Sequence, residues 1–185
     1  MFIQTEETPN PNSLKFIPGV EVSPEGPVAY NYKSECDDSP LAKRLFDLEY
    51  VESIFLGSDF ITVTKKADIS WEIIKPELLI NVMEHFISGK PAVFSPGYVA
   101  PKPYNDDDDE ITKQIKEIIE ERVRPAVARD GGDIIFRKFE EGVVYLELRG
   151  ACSGCPSSQV TLKEGVENML KHYIPEVKAV ESFRE

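Results

Sequence analysis

The chain has 185 residues, 41% of them hydrophobic and 29% charged, enough apolar content for packed cores in one ordinary domain or two small ones, which excludes a wholly disordered protein. Its net charge of -12 and pI near 4.7 have the wrong sign for neutralising phosphates, so no nucleic acid partner is expected. The same charge disfavours anionic lipid, and no apolar run approaches the roughly 20 residues of a spanning helix, so no membrane role is expected either.

The N-terminus, Met1 to Glu7, lacks the basic start and apolar core of a secretory signal and is too acidic for a transit peptide, which points to an intracellular chain. Leu14–Ile17 and Val28–Tyr32 read as strands among Pro18, Gly19, Pro24, Gly26 and Pro27. Ser39 and Pro40 open a helix as N-cap and first residue, with Leu41, Leu45 and Leu48 as its stripe. Val51–Leu56 and Phe60–Thr64 flank the turn Gly57-Ser58-Asp59 and form a hairpin. Trp71, Ile74, Leu78, Val82 and Phe86 then predict a helix that stops at Gly89 and Pro91.

A turn-rich stretch follows, with Pro96, Gly97, Pro101 and Pro103 and then the run Asp106 to Asp109. Poor in apolar residues and self-repelling, it suits an extended tether. The expected organisation is therefore two small α+β domains, 1–95 and 110–185, joined by an acidic, proline-containing linker at 96–109.

In the second half, Ile111, Ile115, Ile118, Ile119 and Val123 give a helical stripe capped by Asp108 or Asp109, which Pro125 should kink and Gly131-Gly132 should end. Ile134–Phe139 and Val143–Arg149 predict an antiparallel hairpin across Glu140-Glu141-Gly142. The segment Gly150-Ala151-Cys152-Ser153-Gly154-Cys155 is a loop entering a helix whose expected apolar face is Leu162, Val166, Met169, Leu170 and Tyr173. Val177–Phe183 closes the chain as a strand.

Three cysteines are too few for a disulfide framework, and a close pair in a reducing compartment serves metal or redox chemistry. Cys152 and Cys155 are separated by two small residues and can chelate. Pro156 puts them at a helix N-terminus, where the dipole, aided by Arg149, is expected to lower thiol pKa. A redox dithiol, half a zinc site and half a cluster site all fit the pair. Zinc and cubane clusters want about four soft ligands. No second such pair exists and His172 lies at the far end of the helix, so a metal would need the pair of a second protomer.

Other candidates have simpler readings. Cys36, in the polar Ser34-Glu35-Cys36-Asp37-Asp38, reads as a surface thiol, and His85 and His172 as structural. Asp130-Gly131-Gly132-Asp133 lacks the lysine and spacing of a phosphate loop and reads as a helix stop whose glycines let the backbone pass close to the cysteine loop. No serine or cysteine has a recognisable histidine and carboxylate beside it for hydrolytic chemistry.

The segments Val127–Asp133 and Val144–Ser158 resemble the C-terminal domain of NifU-like proteins. Thr8–Phe16 and Gly57–Thr64 resemble the N-terminal domain of the Nfu iron-sulfur carriers. This resemblance implies a non-enzymatic carrier that binds a [4Fe-4S] cluster between two protomers through Cys152 and Cys155 of each. It also implies transfer to apo iron-sulfur proteins, with lipoyl synthase, aconitase-type and respiratory enzymes as client classes, and an upstream cluster-assembly scaffold as donor. The implied location is the cytoplasm of a bacterium, or the mitochondrial matrix if the chain is a processed eukaryotic protein. The N-terminal domain, without an evident ligand set, is expected to recognise clients or donors. A dithiol oxidoreductase and a zinc-bridged dimer are the competing readings.

Overall fold

The computed structural model describes residues 1–94, 107–153 and 155–183. Most of the expected linker, 96–106, lies outside the described residues. The chain divides into two compact units, Met1–Ala100 and Pro101–Glu185, each with its own sheet, helices and core. No helix among the described residues is long and apolar enough to cross a membrane.

The first unit is a five-stranded antiparallel sheet in the order β1-β2-β5-β4-β3, from β1 (Gln4–Glu7), β2 (Ser13–Ile17), β3 (Val28–Tyr30), β4 (Val51–Leu56) and β5 (Ile61–Lys65). β1 has no apolar alternation of its own and is an edge strand that sequence reasoning missed. Its register on β2 creates it. Side chains alternate across the pleat. Leu14, Phe16, Ile54, Leu56, Ile61 and Val63 line the core with helices α1 (Pro40–Leu45) and α2 (Trp71–Ile87). The N-cap of α1 forms as expected: Ser39 Oγ accepts from Ala42 N at 3.0 Å and donates to Ala92 O at 2.6 Å. Gly57 leaves room for the Phe60 ring, which an added Cβ would strike.

Cys36 is the first correction. It sits in a 3-10 helix, Lys33–Asp38, and is 1% exposed rather than a surface thiol. The polar neighbours face outward while its Sγ donates to Tyr32 O at 3.5 Å. Burial, then the nearby Asp38, Glu35 and Asp37, pushes the thiol up to about 11. His85 is buried with its ring 3.1 Å from Pro91 O, the structural role expected for it.

The second unit begins with α3 (Glu110–Ile118), which Asp109 caps by accepting from Thr112 N at 2.7 Å. A π-helical turn, Ile119–Val123, then leads into α4 (Arg124–Arg129). That turn is the reset expected ahead of Pro125, because the proline ring cannot keep the regular ladder. β6 (Gly132–Glu140) and β7 (Val143–Gly150) form the predicted hairpin through Glu141 (φ 53°) and Gly142 (φ 83°), a tight two-residue turn. Helix α5 (Pro156–Tyr173) crosses over to β8 (Ala179–Ser182), which pairs with β7 in parallel. Thus β7 is the central strand of three. Val166 and Leu170 of α5 are buried, whereas Tyr173, expected in the core, is exposed with Arg122 stacked 4.9 Å above its ring.

Candidate functional site

The loop that carries the cysteine pair leaves the C-terminal end of β7 and enters the N-terminus of α5. In an open parallel unit this junction is where ligands bind, since the strand ends and the first helical N–H groups meet there. Gly150 (φ 72°) turns the chain out of the strand, and the turn closes with Ser153 N donating to Gly150 O at 3.1 Å and Ser153 Oγ to the same oxygen at 2.8 Å. Cys155 is the N-cap of α5, with extended backbone (φ -114°, ψ 113°) and a half-buried side chain, and Pro156 takes the first helical position as the sequence predicts.

Cys152 lies deeper. It is 4% exposed and packs in the same core cluster as Ile134, Leu146, Val166 and Val127. The expected closeness of the glycine pair is found at Gly132: a Cβ there would stand 2.6 Å from Arg149 O and 3.0 Å from Cys152 Sγ. Gly131 (φ 79°) ends α4 and accepts from Ala151 N at 3.2 Å, which ties the helix stop to the cysteine loop.

The electrostatics differ from the sequence expectation. Burial, then the nearby Asp130 and Asp133, pushes the Cys152 thiol up to about 11, opposite to the lowering expected of the helix end. Arg149 supplies no free positive charge, because its Nε donates to Glu147 Oε1 at 2.8 Å. Asp133 is buried and held by a fork: Arg124 Nε donates to Oδ1 at 2.8 Å and Nη2 to Oδ2 at 3.0 Å, while Nη1 reaches Glu120. Burial alone would lower the Arg124 pKa, but these carboxylates outweigh it and raise it. Arg124 therefore pins the start of β6 beneath the loop, a role that sequence reasoning missed because its partner is nine residues away across a helix stop.

Among the described residues no three His, Cys, Asp or Glu side chains gather into a metal-sized group. Cys36 belongs to the other unit and its core, and His172 stacks edge-on against Tyr173 with ring centroids 5.0 Å apart. The loop carries two thiols three residues apart, Cys155 as the N-cap of α5 and Cys152 buried in the core.

Two family models match the chain: the scaffold protein Nfu/NifU N-terminal domain over residues 3–89 and the NifU-like domain over residues 115–181. Among curated relatives, the mitochondrial NFU1 iron-sulfur cluster scaffold homologs of Drosophila persimilis and Drosophila willistoni are 52% and 51% identical over 183 residues, 98% of this chain. The chain spans about 64% and 63% of the length of those two relatives. The solution NMR structure of a NifU-like protein from Saccharomyces cerevisiae is 27% identical, with a TM-score of 0.47, covering 52% of this chain and 87% of that one. With the two domains matched in this order, the chain belongs to the Nfu family of NifU-like proteins.

Proposed function

We propose that this chain is an iron-sulfur cluster scaffold and carrier, not an enzyme, that holds a [4Fe-4S] cluster between two protomers and passes it to apo-enzymes. Each protomer contributes Cys152 and Cys155. The observation that carries this reading is an isolated pair of thiols on one loop at a helix N-terminus. A cubane wants about four soft ligands, and one chain offers two close ones. A two-fold axis supplies the rest. The names of the relatives, which call them iron-sulfur cluster scaffolds, support the same reading. A dithiol oxidoreductase would need both thiols at the surface for exchange, and Cys152 is 4% exposed with its pKa raised by burial.

Cluster loading requires Cys152 to leave the core. The turn that holds it starts at Gly150, at positive φ, and is tied by Ser153 N to Gly150 O at 3.1 Å and by Ala151 N to Gly131 O at 3.2 Å. The first amides of α5 favour the negative charge of a thiolate-bound cluster without enclosing it. Parting the protomers halves the ligand count at once, which makes the cargo releasable.

In this reading 110–185 is the cluster-binding domain, 96–109 the tether, and 1–95 the domain that recognises clients or the upstream scaffold. The clients are apo iron-sulfur enzymes of the lipoyl synthase, aconitase-type and respiratory classes. The location is the mitochondrial matrix, in line with the names of the relatives, which lend the bacterial cytoplasm no support.

The test is anaerobic reconstitution with iron and sulfide, followed by metal analysis and sedimentation. The expected product is a dimer with about four irons and four sulfides per two chains, formed from a monomeric apo-protein. A monomer holding a full cubane, or a protein that takes only zinc, overturns the bridged-dimer mechanism.

A further inference from the structure

Helix α2 has two apolar faces. Ile74, Leu78 and Val82 fill the core of the first unit. On the opposite side Ile73, Ile80 and Ile87 are 75%, 56% and 68% exposed. They recur every seven residues, with the exposed Pro76 between the first two and Met83, partly buried against the core, between the last two, so the three isoleucines form one row along the helix. Single exposed apolar residues are ordinary, but three isoleucines in a row on one helix face mark an interaction surface.

Charge and area decide what covers the stripe. By helical geometry, Glu77 and Glu84 border it on one side and Glu72 on the other, all three exposed. Tyr50 donates to Glu77, and Arg44 of α1 is paired with Glu84. Two copies of the stripe would set these carboxylates against one another on chains of net charge -12. Three isoleucines at these exposures offer on the order of 300–400 Å², well short of the roughly 800 Å² per partner of a stable interface. The surface suits a brief encounter with a basic partner.

We propose that the outer face of α2 docks an amphipathic helix whose apolar ridge is bordered by lysine or arginine, presented by a protein that gives or receives the cargo. Only the identity of that protein rests on the carrier reading. The stripe lies in the unit without the cysteine pair, so docking and ligation are separable.

The probe is a synthetic helix of about 18 residues with leucines at heptad a and d positions and lysine borders. It is titrated into the full-length protein and followed by amide NMR. The expected result is shifts along α2, with affinity weakened about tenfold or more in Ile80→Glu and in Ile80→Ser. The same leucine peptide with glutamate borders should bind at least about tenfold more weakly. Unchanged binding in both variants, equal binding of the two peptides, or binding of phosphatidylcholine–phosphatidylserine vesicles through Ile80 overturns the proposal. So does a dimer of the apo-protein that Ile80→Glu dissociates. Iron uptake measured on the same samples separates the two readings: loss of uptake by the unaltered protein sinks the carrier, and loss of peptide binding alone sinks the docking surface.

Discussion

Cys36 and Cys152 are thiols of one electrostatic kind in two different settings. Both are almost fully buried, and burial with nearby aspartates pushes both up to about 11. Cys36 sits inside a short helix in the first unit, bonded to Tyr32 O, with no second cysteine in that unit. Cys152 sits in a glycine-flanked loop at the end of a central strand, three residues from Cys155 at the mouth of a helix. Burial and acidity therefore do not tell the two thiols apart. The backbone around them does: Cys36 lies within a helical element, whereas Cys152 lies in a loop between a strand and a helix.

The largest expected effect breaks the comparison directly. Cys152→Ser or Cys155→Ser should reduce the iron retained after reconstitution to background, while Cys36→Ser keeps it, as read by metal analysis. Equal loss in the Cys36 variant would mean that the loop is not the distinguishing feature.

Next comes the support beneath the loop. Arg124→Ala strips the buried Asp133 of its forked partner and should cost the second unit about 2–3 kcal/mol, less than a fully buried pair because Arg124 is partly exposed. Urea unfolding followed by amide signals of each unit should show the loss there and leave the first unit unchanged.

Gly132→Ala sharpens the contrast further. The added Cβ meets Arg149 O and Cys152 Sγ, so the loop must shift, at about 1–2 kcal/mol. Mass-resolved alkylation should label Cys155 first in the unaltered apo-protein and leave Cys36 and Cys152 slow. In Gly132→Ala only Cys152 should become faster.

The smallest effect lies in the first unit and titrates. Burial lowers the His85 pKa, with Arg44 adding to it against the bond to Pro91 O. A lowered folded pKa means that the unfolded chain binds the extra proton first, so stability should fall as pH drops below the ordinary histidine value of about 6.5. His85→Gln should flatten that part of the profile, and a thermal-midpoint series from neutral to mildly acidic pH reads it.

Much of this arrangement was legible along the chain. Ser39-Pro40 and Asp109 cap their helices because capping is a local contact between a side chain and the next few amides. The hairpins at Gly57 and Gly142 were readable for the same reason, as was the helix that follows Cys155-Pro156. The edge strand β1 and the parallel strand β8 were harder. Neither has a pattern of its own that fixes its neighbour, and pairing is settled by the strand it meets.

The sequence by itself determined the two-domain order, the single close pair of thiols and the helix behind it, since each is a matter of spacing and local turn chemistry. Only the tertiary structure decided that Cys152 faces the core, that Gly132 passes against its sulfur, that Arg124 reaches Asp133, and that Arg149 is occupied by Glu147. It also decided that one apolar face of α2 is packed and the other bare. These are through-space facts: burial and charge pairing depend on which segments fold against one another, and a helical pattern with apolar residues on both sides does not say which side the sheet will take.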